Sequence, residues 1–233
     1  MCMPSPGELV RTVADALGLP EATVVVHDRN LVTEGLRRKG GRGLSAAKVT
    51  ARDAAHLLTA VLGSGQVKDS ASSVRRYSET RPLESASSDA GFAKIGIAEL
   101  ANLPAEHSFV DAMEALIASA ASGSLTQAML DVPAGSRPMK SDATPLIQVA
   151  ALTPGTVGDI RVAGTRGGMS ASVRYALPSP WAHSKHPPDD EVEGWEAKIA
   201  EHGVDTDLEQ YRRISAKTIM RIGELLRLGG SRK

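Results

Sequence analysis

Six basic side chains and no acidic ones lie between Arg37 and Arg52, and three glycines fall inside that stretch. Glycine-rich runs between periodic segments are typical of exposed turns. Cations clustered at such a turn can neutralise the phosphates of a nucleic acid. The chemistry we expect here is electrostatic contact with a polyanion, made by Arg37, Arg38, Lys39 and Arg42.

The remaining reactive residue types do not form a catalytic pattern. The six histidines are scattered along the chain. A metal site could be formed by His183, His186, Asp189 and Asp190. However, Lys185 lies between the two histidines and would repel a cation, and the spacing matches no strong zinc motif. No Gly-x-Ser-x-Gly, phosphate-binding-loop or His-Glu-x-x-His sequence occurs. We therefore expect no enzyme, no metal and no cofactor.

Two helices joined by a tight turn precede the basic segment. Ser5 and Glu8 have the spacing of a capping box at the start of the first helix. That helix is predicted to stop at Gly18, since glycine suits a left-handed helix end. Pro20 suits the first turn of a second helix, which would run to about Gly35. Helix, turn, helix and basic tip is the layout of a module that places its second helix in the DNA major groove.

This stretch resembles the winged helix-turn-helix regulators of bacteria and prophages over about residues 5–63. Matching positions are Ala14, Leu17, Gly18, Leu19, Pro20, Thr23, Val24, Leu31, Gly35 and Leu36. Val25 and Val26 depart from the family, which carries polar base-reading side chains there. Asp28 also departs, since it stands where the family has a core leucine.

The resemblance implies a set of DNA contacts. The second helix would present Thr23, Val26, His27, Arg29 and Asn30, of which arginine can bind guanine and asparagine adenine. The basic tip would supply phosphate or minor-groove contacts through Arg37, Arg38, Lys39 and Arg42. The core of the module is expected to contain Leu17, Val24, Leu31 and Leu36.

Beyond the module, the sequence predicts a mixed architecture. A Ser-rich segment, residues 78–91, is interpreted as a linker between a DNA-binding domain (1–77) and a second domain (92–233). In that domain a helix over Phe109–Ser122 is expected to cover an antiparallel meander of three strands, at Leu146–Leu152, Val157–Ala163 and Ser170–Leu177. Two helices follow, Asp189–His202 and one from Thr206 to Leu228. The predicted class is α+β.

The overall composition bears on the cellular compartment and on the expected partner. The net charge is zero, but nine acids between Asp189 and Glu209 and a basic segment after Tyr211 show that the charges are segregated. A single cysteine and the lack of a long apolar run favour a cytoplasmic protein without a membrane span. The expected partner is double-stranded DNA.

The expected function is sequence-specific DNA binding by a transcriptional regulator. The 92–233 domain would mediate oligomerisation or partner binding, with a homodimer favoured. For the last helix two interpretations are open: it packs on its own sheet, or it forms the interface between copies. Two alternatives stay open: a small terminase-like subunit of phage DNA packaging, and a winged helix that binds protein. The sequence leaves the DNA site, any effector and the sign of regulation undetermined.

Overall fold

The computed structural model describes residues 4–38, 48–83, 91–130, 146–165, 169–182, 184–201 and 209–231. The helices within these ranges are α1 (Pro6–Leu17), α2 (Glu21–Thr33), α3 (Ala51–Gly63), α4 (Ser70–Glu79), α5 (Ala98–Ala101), α6 (Phe109–Ser122), α7 (Ser124–Leu130), α8 (Asp189–Glu201) and α9 (Ala216–Ser231). The strands are β1 (Arg81–Pro82), β2 (Leu146–Thr153), β3 (Val157–Thr165), β4 (Met169–Ala176) and β5 (Gln210–Ser215). The class is α+β, as predicted.

Three helices begin at capping boxes, in which a hydroxyl accepts a backbone N–H while a carboxylate three residues later accepts from the cap. In α1, Ser5 Oγ accepts from the Glu8 N–H at 3.3 Å and the Glu8 carboxylate accepts from the Ser5 N–H at 2.7 Å. The same arrangement starts α3 at Thr50 and α6 at Ser108. Gly18 ends α1 in the left-handed conformation at φ 67°. These local predictions are confirmed.

The strands form one antiparallel sheet in the order β1-β4-β3-β2-β5. The predicted meander is its centre, with Val149 opposite Ile160 and Ile160 opposite Val173. These side chains are buried beneath the helices. Their neighbours on the other face, such as Arg161 and Arg174, are exposed, so the sheet has one covered face and one polar face.

The edges of the sheet differ from the sequence predictions. Residues 210–215, expected in the last helix, form β5 and pair with β2, so α9 begins only at Ala216. At the other edge, Arg81 and Pro82 lie within the expected linker yet pair with β4. Residues 84–90 of that linker lie outside the described residues.

Helix α6 is the centre of the packing and lies against α3, α9 and β3. Its Phe109, Met113 and Leu116 are fully buried. One hydrophobic core joins them to side chains of α1–α4 and of the sheet. The residues expected in two separate domains therefore share a single core in the described part of the chain.

The apolar face of α9 is part of this core. Ile219 and Ile222 are fully buried within the chain, so this face packs inside the protein and is not free to form an interface between copies. At Gly223 the helix approaches α6 closely, because an added Cβ would lie 2.4 Å from the Ala120 Cβ and 2.7 Å from the Ala120 carbonyl carbon. None of the helices described is both long and apolar enough to span a bilayer.

Gly223→Ala is expected to lower the free energy of unfolding by at least about 2 kcal/mol, because the new methyl group overpacks the contact between α6 and α9. Gly194→Ala in α8 is the matched control, since nothing lies within 4 Å of its added Cβ and alanine favours a helix over glycine. Urea denaturation of both variants checks this. Equal stability of the two would contradict the close approach at Gly223.

Candidate nucleic-acid interface

Helices α1 and α2 meet at the turn that the sequence predicts. The Leu19 N–H donates to the Ala14 carbonyl at 3.0 Å as the chain leaves α1. Pro20 is the cap of α2 rather than its first helical residue. Gly35, at φ 72°, ends α2, and the Leu36 N–H donates back to the Leu31 carbonyl at 2.9 Å. The helix-turn-helix pair is thus closed at both ends by local hydrogen bonds.

The faces of α2 follow from the helical period. Val24, His27 and Leu31, at spacings of three and four, are buried. Ala22, Val26, Arg29 and Thr33 lie on the opposite, exposed face. Only this exposed face can reach a ligand as large as DNA.

Val26 and Arg29 are exposed, as the resemblance implied. Val26 is 42% exposed, and Arg29 makes no ion pair among the described residues. Arg29 therefore presents the one cationic side chain on the exposed face of α2.

His27 is a correction. It was expected on or near the exposed helix face, but only 4% of it is exposed. Its Nδ1 lies 2.8 Å from the Ser70 Oγ. Two causes lower the pKa of His27 from 6.5 to about 4: the larger is burial, and the smaller is the nearby charge of Arg212. The ring is therefore neutral at pH 7.

Thr23 and Asn30 lie at the border between the two faces. Both are half-buried. The Asn30 Nδ2 donates to the Val67 carbonyl at 2.8 Å, so this amide holds the segment before α4 against α2. In this arrangement the Asn30 amide serves the fold rather than an adenine.

Arg37 is the second correction. It was expected to contact phosphate, but it is 6% exposed. Its Nη2 donates to the Asp28 Oδ2 at 2.5 Å. Asp28 stands where the resemblance led us to expect a core leucine, and a buried ion pair is found there instead. Burial raises the pKa of the Asp28 carboxyl, and the charge of Arg37 opposes that shift.

The other cations of the basic segment differ in their surroundings. Arg52 is paired with Asp111 at 2.5 Å and Glu114 at 3.0 Å, both on α6. Arg38 and Lys48 are exposed and have no ion pair among the described residues. No strand occurs at 34–38 or 48–50, while Lys39 and Arg42, at the tip of the expected wing, lie outside the described residues. The winged form of the module thus remains an expectation.

Two further features were missed by the sequence analysis. Lys217, Arg221 and Arg227 of α9 line a groove of about 550 Å³ against α6 and α7, with Glu224 as its one acid. Arg212 of β5 reaches the Val61 and Ser64 carbonyls after α3. The Arg212-Arg213 doublet was the sequence signal for a cation at this place, but it was assigned to a helix.

Of the two histidines considered for a metal site, His186 is exposed and His183 lies outside the described residues. In the described ranges, no group of three or more potential metal ligands comes together.

Arg37→Met is expected to lower the free energy of unfolding by about 3–5 kcal/mol, because it leaves the Asp28 carboxylate buried and uncompensated. Asp28→Leu combined with Arg37→Met should recover most of this loss, since it restores an apolar core. Denaturation of the single and double variants measures both effects. A stable single variant with weakened DNA binding would instead make Arg37 a phosphate contact.

Acidification is expected to destabilise the fold through His27. The pKa of His27 is about 4 in the folded protein and 6.5 for an ordinary histidine. Between these values the unfolded chain binds more protons, so stability falls as pH falls. The loss from pH 7 to pH 4.5 should be on the order of 2 kcal/mol. His27→Asn should reduce the dependence of the free energy of unfolding on pH, because asparagine does not titrate, and it keeps a hydrogen-bond donor towards Ser70. His56, whose pKa burial also lowers, stays as the internal reference; an unchanged slope would show that His27 is not the group responsible.

Comparison of the chain with protein-family models, with curated proteins and with solved structures gave no match. The geometry above is therefore the basis for any functional assignment.

Proposed function

We propose that this protein binds double-stranded DNA sequence-specifically through the exposed face of α2 and acts as a bacterial or prophage transcriptional regulator. The support is that α1 and α2 are joined by a tight turn at Gly18, Leu19 and Pro20 and that one face of α2 is exposed. A helix held in this way can enter the major groove, with α1 crossing the backbone.

Arg29 carries the proposal. It is exposed and without an ion pair in the described part of the chain, and it lies one helical turn from Val26. An arginine so placed can donate two hydrogen bonds to guanine O6 and N7, and valine can contact a thymine methyl group. The His27 and Asn30 side chains form hydrogen bonds within the protein. Of the residues expected to contact bases, we therefore propose Val26 and Arg29.

Phosphate contacts are assigned to the cations beside α2. Arg38 and Lys48 belong to the basic segment and are exposed, and Lys39 and Arg42 lie between them in the sequence. Phosphate contacts fix register and orientation without reading sequence. One helix reads only a few base pairs, so we propose that two copies of the chain bind two half-sites as a dimer, about 34 Å apart.

Protein recognition is a second candidate function, and one observation favours it. The exposed face of α2 carries apolar Val26, 42% exposed, and a single cation. Interfaces between proteins are depleted of charge at their centre. The two functions differ in whether Arg29 discriminates between DNA sequences.

The test begins with selection of bound duplexes from a random DNA pool by the full-length protein. Arg29→Ala should then weaken binding to the selected site by about 1–3 kcal/mol, which is roughly 5- to 150-fold, with a much smaller effect on random DNA. Arg161→Ala is the matched control, because Arg161 is an exposed arginine on the polar face of the sheet and should leave both affinities unchanged.

Two results would contradict the proposal. No enrichment of any sequence from the pool would exclude sequence-specific binding. Equal losses on selected and random DNA in Arg29→Ala would make Arg29 a backbone contact and would favour protein recognition by this face.

A further inference from the structure

A cavity of about 360 Å³ lies behind α2, between the α1–α2 turn, the segment after α3 and strand β5. Its volume is within the range of small-molecule binding sites. Its walls are mainly aliphatic, from Leu17, Leu19 and Val61, with polar groups from Thr23, His27 and Arg212. An apolar enclosure with a few convergent polar groups is the usual composition of a ligand site.

His27 lines this cavity, and its hydrogen bonds bear on which ring nitrogen can accept. The His27 Nδ1 lies 2.8 Å from the Ser70 Oγ, and the Ser70 hydroxyl donates to the Val67 carbonyl. With the Ser70 proton engaged in this way, we assign the proton of the neutral ring to Nδ1 and the lone pair to Nε2. Nε2 has no hydrogen-bond partner among the described residues, which leaves it available to a ligand N–H or O–H.

Arg212 supplies a positive charge at the same cavity. Its guanidinium is held by the Val61 carbonyl at 2.8 Å, the Ser64 carbonyl at 2.7 Å and the Gln210 Oε1 at 2.7 Å. All three partners are neutral, and no carboxylate pairs with Arg212 in the described part of the chain. Since an arginine has five N–H donors, donors remain for a bound anion. Arg213 lines the cavity as well.

We propose that this cavity binds a small organic carboxylate with an apolar body and a hydroxyl or N–H donor. The carboxylate would pair with Arg212, the donor would hydrogen-bond to the His27 Nε2, and the body would contact Leu17, Leu19 and Val61. Because His27 and Arg29 lie on opposite faces of α2, a ligand here acts on the helix that we propose to contact DNA. This regulatory consequence rests on the proposed function, whereas ligand binding does not.

The experiment measures ligand binding calorimetrically with the full-length protein and no DNA, so that its failure is separate from failure of DNA binding. The probes are the three isomers of hydroxybenzoate, because they place a carboxylate and a hydroxyl at three separations on one apolar ring. At least one isomer should bind with a stoichiometry of one. Benzoate, which lacks the donor, and phenol, which lacks the charge, should each bind at least about tenfold more weakly than that isomer.

Two variants locate the site. His27→Phe keeps a ring but removes the acceptor, so hydroxybenzoate and benzoate should bind with equal affinity. Leu19→Trp should block the cavity and abolish binding, because Leu19 lines it and is 37% exposed. Leu83→Trp is the matched control, since Leu83 is 41% exposed and does not line the cavity.

The outcomes are decisive in both directions. Saturable binding that Leu19→Trp abolishes and Leu83→Trp leaves unchanged supports the site, whether or not His27→Phe folds. No saturable binding of any isomer, or binding unaffected by Leu19→Trp, would overturn it.

Discussion

The packing of Tyr77 joins helices α1–α4 to the sheet. Its ring lies 5.1 Å from that of Phe109 between centroids, and its hydroxyl donates to the Leu152 carbonyl at 2.7 Å. Gly63 makes room for this ring, because an added Cβ would lie 2.4 Å from it. Gly158 makes room for Phe109 on β3 in the same way. Two aromatic side chains and two glycines therefore set the position of α3 and α4 against the sheet.

The position of α2 depends on this junction. Helix α4 begins at Ser70, three residues after Val67, and these two residues hold His27 and Asn30 through hydrogen bonds. The exposed face of α2 and the cavity that we propose to bind a ligand lie on opposite sides of this helix.

Some of the cationic side chains of the basic segment form ion pairs within the fold instead of facing solvent. Of the six cations from Arg37 to Arg52, Arg37 is buried against Asp28 and Arg52 is paired across to α6. A buried ion pair is fully compensated only when all its polar atoms are hydrogen-bonded, and among the described residues the Asp28 Oδ1 and the Arg37 Nε have no hydrogen-bond partner. Such a pair adds little stability over an apolar core, so Asp28 and Arg37 are best understood together.

Local features of the sequence were sufficient to predict the capping boxes, the ends of α1 and α6 and the three central strands, because each depends on neighbours in the chain. His27 was predictable as well, since it lies three residues from Val24 and four from Leu31 on the buried stripe. Alignment with a family placed it on the exposed face instead. Strand β5 was harder, because its partner β2 is about sixty residues earlier and residues 208–228 also satisfy a helical period. The Asp28–Arg37 pair depends on the fold of the segment after α2, which no local pattern specifies.

Native-state hydrogen exchange tests the central claim, that helices α1–α4 and the sheet form one cooperative unit joined at Tyr77. The amides to compare are those of Leu57 and Leu58 in α3 with those of Val149 and Ile160 in the sheet, all in fully buried residues. One core predicts that both sets exchange only through global unfolding, with the same free energy and the same dependence on denaturant. Exchange of the α3 amides at a free energy several kcal/mol below that of the strands, with a smaller denaturant dependence, would show two independent units and contradict the account.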